Sequence, residues 1–416
     1  MKKFDIVIIG AGPAGLAAAK RATDCKAKVL LIEREAKLGG ILKQCIHDGF
    51  GLTRFKEKLS GPEYAFREIA SLRATDVEIS TLTYVEGIVK EDGGFLLTLI
   101  TREGISKVWT SKIILATGCR ERTARQIAIQ GSNPAGVFTA GAAQYYINVL
   151  GKMPTRRCII LGSGDIGLIM ARRITLEGGS VEGVYEVKQT PSGLTRNLAQ
   201  CLDDFDIPLH LSHTVTRVFG DERLTGVEIA SVDDKMHPIA GTERIVACDA
   251  LIISVGLIPE NEIAEKLGVS INPRTRGPYV DQTLMTMVDG VYSCGNALHV
   301  SDSADYVSES GETAGRDAAS KKEEATRHLI PVKIDARIGY VVPSHIDANS
   351  NLSDVIFYFR AASELENVNL LIEVDGKVVL KRKYQRLRPP EMERIAIELG
   401  DVSKIAAIGL HLEDSV

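Results

Sequence analysis

The stretch Phe4 to Glu33, FDIVIIGAGPAGLAAAKRATDCKAKVLLIE, restricts the fold more than any other part of the chain. The apolar run Ile6-Val7-Ile8-Ile9 meets Gly10-Ala11-Gly12-Pro13-Ala14-Gly15, an alanine-rich helical pattern follows, and a second apolar run from Val29 to Ile32 stops at Glu33. This pattern describes a strand, a glycine turn, a helix and a parallel strand. In such a unit Gly10 makes the tight turn, Gly12 lets the backbone approach a pyrophosphate, and Gly15 lets the helix sit close to the strands. Pro13 and Ala14 then lie at the positive end of the helix, where free backbone N–H groups face the phosphates. Glu33, about twenty residues beyond Gly10, can accept hydrogen bonds from adenosine ribose hydroxyls.

A second unit of the same kind begins at Cys158-Ile159-Ile160-Leu161 with Gly162-Ser163-Gly164-Asp165-Ile166-Gly167. A helical pattern follows from Leu168 to Glu177, and a strand pattern from Val181 ends on another acid, Glu186. The fold is repeated, not the sequence in detail. Glu186 favours a free ribose 2'-hydroxyl and repels a 2'-phosphate, which points to NAD over NADP, with Lys188 nearby working against that preference.

At 416 residues the chain has room for two or three domains. A net charge of -4 gives no reason to expect nucleic acid or an anionic membrane surface as partner. Lys2-Lys3 and the apolar run after them imitate a secretory signal, but Asp5 and the glycine turn interrupt it, so a cytoplasmic protein without membrane insertion is expected. The seven cysteines are scattered with no CxxC or zinc spacing, which suits reduced thiols and offers no metal site.

Between the two units, Gly39-Gly40 would let backbone pass close to a bound ligand. Pro62 to Ser71 is helical in pattern, and Val77 to Trp109 alternates in strand fashion around Asp92-Gly93-Gly94, as a meander or hairpin does. Ile113 to Gly118 is a buried strand with a glycine end. After the second unit, Ser308 to Ala319 has the pattern of a helix, and Ser320 to Arg327, rich in Lys and Glu, that of a helix tail running into a linker. From about Pro331 the pattern is strand-like, with a hairpin over Leu370 to Tyr384 turned at Asp375-Gly376-Lys377. The last part is expected to be a small β domain, a sandwich.

Gly10 to Gly15, Glu33, Gly39-Gly40 and Ala116-Thr117-Gly118 together resemble the FAD domain of the pyridine nucleotide-disulfide oxidoreductase superfamily. Leu251 to Pro259 resembles the exit from that superfamily's second domain, and Val280-Asp281 through Gly295-Asn296 its closing FAD motif, with Asn296 where Asp is usual. The resemblance implies an α/β protein with two Rossmann-like, glutathione reductase-like domains. FAD would be bound by a discontinuous domain (1–127 and 272–328) and NAD(H) by an inserted one (128–271), with the C-terminal β domain at 329–416. The FAD set would be Gly10, Gly12, Pro13, Ala14, Gly15, Glu33, Arg34, Gly39, Gly40, Lys43, Ala116, Thr117, Gly118, Gly295 and Asn296. Gly162, Gly164, Asp165, Ile166, Gly167 and Glu186 would serve the second nucleotide. The helix beginning at Ser308 would turn its positive end to the flavin.

The redox disulfide of the superfamily is missing. Only Cys45 follows the double glycine where the glutathione reductase branch has a cysteine pair, and no cysteine lies between Ile127 and Arg157, where the thioredoxin reductase branch has CxxC. The spacing of Cys45 from Gly10 resembles that of the single redox cysteine in NADH peroxidases and oxidases; the other reading is a buried structural thiol. His47 is either an acid or base near the flavin or a structural histidine.

A narrower likeness is carried by Thr139 to Gln144, which resembles a motif in the nucleotide-binding subunits of opine, sarcosine, proline and cyanide-forming glycine dehydrogenases. Gly39 to Gly51, Gly118 to Thr123, Gly162 to Gly167 and Cys294 to Val300 are similar to the small flavoproteins associated with bacterial anaerobic glycerol-3-phosphate dehydrogenases. That branch implies a subunit relaying electrons between NAD(H) and a partner flavoprotein or iron-sulfur subunit; with no cluster motif in this chain, any cluster would be the partner's. Two alternatives stay open: a subunit that keeps a nucleotide only for structure while a partner chain oxidises the substrate, and a stand-alone NADH oxidase or peroxidase using Cys45. The β tail would dock the partner, cover the FAD domain or build a homo-oligomer.

Overall fold

The computed structural model describes residues 1–320, 326–350 and 352–415; most of the Lys/Glu-rich segment expected as a helix tail, 321–325, lies outside them. The α-helices among the described residues are α1 (Pro13–Asp24), α2 (Gly61–Arg73), α3 (Ala140–Asn148), α4 (Asp165–Leu176), α5 (Thr195–Cys201), α6 (Glu262–Lys266) and α7 (Ala304–Ala318). The chain forms two compact units, one made of Met1–Cys119 with Pro259–Val416 and the other of Arg120–Ile258. Both crossings fall ahead of the sequence boundaries at 127/128 and 271/272.

In the first unit, strand Lys2–Ile9 pairs in parallel with Val29–Ile32 on one side and with Gly104–Leu115 on the other, and Val291–Ser293 adds in parallel to the latter. Both faces of this sheet are covered. Ile6 and Ile8 pack among α1 and α7, while Phe4, Val7 and Ile9 pack on the opposite side with Leu97 and Ile113. A strand buried on both faces reads as a continuous apolar run, which is why Ile6 to Ile9 shows no alternation.

The alternating segment from Val77 opens with a separate strand, Glu78–Ser80, paired in parallel with Val29–Ile32, and becomes an antiparallel meander only from Tyr84, turned at Asp92-Gly93, with strands Tyr84–Glu91, Gly94–Thr101 and Gly104–Leu115. Its last strand is also the buried strand that the sequence presents separately at Ile113. One twelve-residue strand pairs antiparallel with the meander over its first part and parallel with Lys2–Ile9 over its second. No glycine or proline separates Trp109 from Ile113, so nothing breaks the strand between its two roles.

α1 and α7 lie in close contact because α7 presents Gly311 and Gly315 to α1. A Cβ on Gly311 would stand 2.1 Å from the Ala14 carbonyl oxygen, and one on Gly315 2.4 Å from that of Ala18. α7 begins at Ala304, earlier than Ser308, because Ser303 caps it by accepting the Asp305 N–H at 3.2 Å.

The C-terminal segment builds a five-stranded and a three-stranded sheet around a shared core that includes Ile346, Phe357, Phe359, Leu370 and Leu410. The hairpin Leu365–Val374 with Lys377–Leu387 turns at Asp375-Gly376, as its sequence suggests. This sandwich belongs to the first unit. Val342 and Tyr340 pack into the α1–α7 core, Gln282 exchanges two hydrogen bonds with the Asp347 backbone at 2.9 and 2.7 Å, and Arg394 forks onto Glu309 of α7 at 2.7 and 2.6 Å.

The second unit repeats the parallel theme with a five-stranded sheet in the order Val137–Thr139, Ala250–Ile253, Arg157–Leu161, Ser180–Glu186 and Leu209–Leu211. α3, α4 and α5 pack on one face through Ile160, Leu168 and Ile174, and a four-stranded, mostly antiparallel sheet covers the other, with Val227 and Ile229 meeting Ile159 and Leu161.

The glycine contact between α1 and α7 has a measurable sign. Alanine normally favours a helix interior by about 1 kcal/mol over glycine, yet Gly311→Ala should destabilise the protein by about 1–3 kcal/mol because its methyl meets backbone. Chemical denaturation checks this, and a midpoint that stays or rises would contradict the close approach.

Candidate functional site

The first glycine turn separates what the protein needs from what a ligand would need. Gly10 is left-handed (φ 103°), and a Cβ there would lie 2.3 Å from the Ala116 carbonyl oxygen. A Cβ on Gly15 would lie 1.8 Å from the Gly10 carbonyl oxygen. Gly12 is different: its φ of -73° suits any residue, and the nearest atom to a Cβ there is Gly40 Cα at 4.0 Å. The protein itself does not demand glycine at position 12, so the small residue keeps open the approach to the N-terminus of α1. That end carries no side-chain cap, and Pro13 fills its first turn. Open N–H groups at an uncapped helix start fit a pyrophosphate.

Glu33 is buried, and its two carboxylate oxygens accept the backbone N–H groups of Ala11 and Glu35, each at 2.9 Å. The acid thus braces the turn while its remaining lone pairs stay available to hydroxyls. The Gly39 N–H donates to the Ala11 carbonyl at 2.8 Å, and left-handed Gly40 runs so close to the turn that its Cβ would sit 2.9 Å from Gly12 Cα. Gly118 is left-handed with open space around it, and the Thr117 hydroxyl donates to the Glu260 carbonyl at 2.6 Å. Gly295, also left-handed, packs under Ala14 and donates its N–H to the Ser310 hydroxyl at 2.9 Å. The elements bearing Gly10–Gly15, Glu33, Gly39-Gly40, Ala116 and Gly295 therefore converge on the start of α1.

Asn296 accepts the Ser301 N–H at 3.1 Å through its amide oxygen and donates through its amide nitrogen to Cys119 Sγ at 3.4 Å. Because a backbone N–H can only donate, the first bond fixes which end of the amide is which. Arg34 and Lys43 are engaged with the protein itself: Arg34 pairs with Glu260 at 3.0 Å, and the Lys43 ammonium bonds the Glu35 carboxylate and the Lys37 carbonyl.

The second turn has the same construction from different residues. Gly162 is left-handed (φ 97°), and a Cβ there would lie 2.1 Å from the Ser254 carbonyl oxygen; one on Gly167 would lie 2.8 Å from the Gly162 carbonyl oxygen, and one on Gly164 would meet nothing nearer than 3.8 Å. Glu186, buried like Glu33, accepts the N–H groups of Ser163 at 2.9 Å and Lys188 at 3.1 Å. α4 starts without a side-chain cap, and Ile166 packs inward from its first turn. Asp165 turns sideways to accept from Leu194 N–H at 2.9 Å and Asn197 at 2.7 Å. Sequence reasoning missed this loop. Its Ser192 N–H bonds Ser163 Oγ at 2.9 Å, and the one local signal is the Pro191-Ser192-Gly193 turn.

Asp305 was likewise not singled out. From the first turn of α7 it accepts the N–H groups of Gly51, Thr53 and Arg54 at 3.1, 2.7 and 3.4 Å. The positive end of α7, expected to serve the flavin, already faces this carboxylate of its own chain.

Cys45 is half-buried, and burial pushes its thiol up to about 12. That opposes a thiolate or an easily oxidised sulfur. The His47 ring lies tilted against Phe50 with centroids 5.0 Å apart, and its Nδ1 lies 3.1 Å from the Asp48 carbonyl. No cluster of metal-ligating side chains is found among the described residues.

Two uncapped glycine turns, each braced by a buried acid on the neighbouring strand, define a protein that binds two nucleotides of the FAD and pyridine nucleotide kind. Residues 4–317 match the pyridine nucleotide-disulphide oxidoreductase family, and the chain belongs to it. It is an FAD-dependent oxidoreductase by that membership. Among curated proteins it is similar to the hydrogen cyanide synthase subunit HcnB of Pseudomonas aeruginosa, at 28% identity over 63% of this chain and 59% of that one. One of the subunits of the opine oxidase of Agrobacterium tumefaciens is 24% identical over 76% of this chain and 64% of its own. The chain thus spans less than two thirds of the length of either. Among solved structures, T. acidophilum thioredoxin reductase shares the fold, with a TM-score of 0.63 at 22% identity over 77% of this chain and 98% of that one. No helix among the described residues is long and apolar enough to cross a membrane.

Two tests follow from this geometry. Gly12→Ala should cost the unliganded protein no more than about 1 kcal/mol yet weaken FAD binding roughly tenfold to a hundredfold, whereas Gly15→Ala should cost about 3 kcal/mol or more in folding itself. Equal effects on folding, read by denaturation of apoprotein, would refute the division of roles. For Cys45 the sign is that a raised thiol pKa leaves little thiolate near neutral pH, so iodoacetamide should label it far more slowly than a free cysteine until the pH nears 12. Rapid neutral-pH labelling of Cys45 in the folded protein, located by peptide mass, would show the opposite.

Proposed function

We propose that this chain is the electron-relay subunit of a multi-subunit dehydrogenase, passing electrons between NAD(H), its own FAD and a partner flavoprotein or iron-sulfur subunit. The first unit would hold FAD on the Gly10–Gly15 turn with Glu33, Gly39-Gly40, Ala116–Gly118 and Gly295-Asn296. The second would hold the nicotinamide nucleotide on Gly162–Gly167 with Glu186. The observation that carries the reading is the pairing of two such turns with a chain that lacks the cysteine pair of a disulfide reductase and keeps Cys45 protonated. A flavin that cannot pass electrons to an internal disulfide needs another acceptor. Two relatives are named as subunits, which supports an acceptor or donor on a partner chain and a small substrate of the amino-acid, opine or glycerol-phosphate type oxidised there. The buried Glu186 carboxylate supports NAD over NADP, since a 2'-phosphate would be pressed against it. The cytoplasm, with its reduced thiols, is the compartment this reading favours.

One observation favours a second reading, in which the nucleotide of the second unit is only structural. Asp165 places an acid in the first turn of α4, and the 192–194 loop is fastened to Ser163 beside it. With the Asp165 carboxylate and Ser163 Oγ both engaged in fastening that loop, the loop would slow release of a nucleotide held at this turn.

Anaerobic NADH should bleach the flavin absorbance of the purified protein within a turnover, and Glu186→Ala should slow bleaching by NADH more than by NADPH. Bound nucleotide with no bleaching would establish the second reading instead.

A further inference from the structure

We propose that Arg360, carried by the C-terminal sandwich, is a positioning residue that sets the flavin loop and thereby the orientation of Asn296. The proposal rests on the reading of the first unit as the FAD site. The loop in question, Leu298 to Ser303, joins the Gly295–Ala297 turn to the start of α7.

Arg360 comes from the strand Asp354–Ala361, far along the chain, and spends every nitrogen of its guanidinium on this neighbourhood. Nε donates to the Tyr340 hydroxyl at 3.0 Å. Nη2 donates to the Val300 carbonyl at 3.2 Å and to the Asp302 carboxylate. Nη1 reaches the other Asp302 oxygen at 3.4 Å and bonds the Pro390 carbonyl. Asp302 takes a further hydrogen bond from the Met392 N–H at 2.6 Å. The residues on both sides of Ser301 are thus clamped by one planar fork, and such forks impose geometry as well as attraction.

What the clamp delivers is the Ser301 N–H. That group donates to Asn296 Oδ1 at 3.1 Å, which fixes the amide nitrogen as the donor end; one of its two hydrogens goes to Cys119 Sγ at 3.4 Å and the second is left for a ligand. The position matters because the family usually has Asp here. A carboxylate offers only acceptors, whereas an amide held by its oxygen offers N–H groups to phosphate or ribityl oxygens without adding negative charge. The substitution is useful only if the amide cannot flip, and the clamped Ser301 prevents the flip. His299, next to the clamp, is buried between Tyr340 and Tyr358, and burial together with the Arg360 charge keeps its ring neutral, down to about 3. The sandwich therefore shapes the FAD site from behind.

The test is a double-mutant cycle on the full chain with FAD dissociation constants and visible-region flavin circular dichroism as readouts. Arg360→Gln should weaken FAD roughly tenfold or more, the order expected for losing a charge-assisted clamp, and should alter the flavin dichroism while the far-ultraviolet spectrum stays as in the wild type. Asn296→Ala should weaken FAD as well, and Arg360→Gln added to it should cost little more, because both act through the same amide. Arg360→Lys, which cannot fork, should not restore the wild-type dichroism. Asp302→Asn keeps the loop's size and provides the same cycle if Arg360→Gln does not fold. Unchanged FAD binding and dichroism in these variants, or losses that add in full, would overturn the positioning role alone. Wild-type protein that binds no FAD would overturn the FAD reading and this proposal with it.

Discussion

The first unit depends on how closely α1 approaches its neighbours. On one side the helix rests on the sheet at a distance that leaves no room for a Cβ at Gly15, and on the other α7 presses Gly311 and Gly315 against its backbone. Small residues run along α1 from Ala14 through Ala17, Ala18 and Ala19 to Ala22, all buried. This packing gains little from large apolar side chains. It gains dispersion contact from backbone meeting backbone, and it fixes the position of the helix start to within a fraction of an ångström, because any larger residue would displace it. A binding site formed by backbone N–H groups requires such fixing, since those groups have no rotamers with which to adjust.

The two glycine turns show which part of a nucleotide fold is structural before any ligand arrives. In both, the residue after the first glycine, Ala11 or Ser163, donates its N–H to the acid that ends the next strand. The acid is therefore a brace of the turn as well as a candidate ribose acceptor: each Glu33 oxygen retains a lone pair, whereas at Glu186 the Ser163 N–H and hydroxyl both bond Oε2 and only Oε1 retains one. The second turn differs in having Asp165 where the first has Pro13. That difference alters the charge at the helix start without altering the backbone path, so the same construction can serve cofactors held with unequal affinity.

Much of the first unit was legible because its signals are local. Ile6 to Gly15 states strand, turn and helix within ten residues, and the Asp375-Gly376 hairpin states its own turn. The misplaced features are those whose cause lies elsewhere in the chain. The strand ending at Leu115 looks like two strands until its partners on either side are known. The start of α7 was hidden because the true cap, Ser303, is one serine among several between Ser301 and Ser310. Arg360, Arg394 and Asp305 could not be identified from sequence, since each acts across 58, 85 and 254 residues of chain on a partner with no motif.

The attachment of the sandwich then raises a question of energetics. A partly buried charge pair such as Arg360 with Asp302 is weak support for stability, because both ions lose some solvation and a well-packed apolar pair could stabilise as much or more. Such a pair does discriminate between arrangements: shifting the sandwich by one residue would leave the partly buried Arg360 and Glu309 without their partners. The sandwich is thus held in one register rather than merely held on. An interface built this way suits a segment whose task is to define a loop, and it explains why the charged contacts cluster at Asp302 and Glu309, on either side of the start of α7, instead of being spread across the sheet.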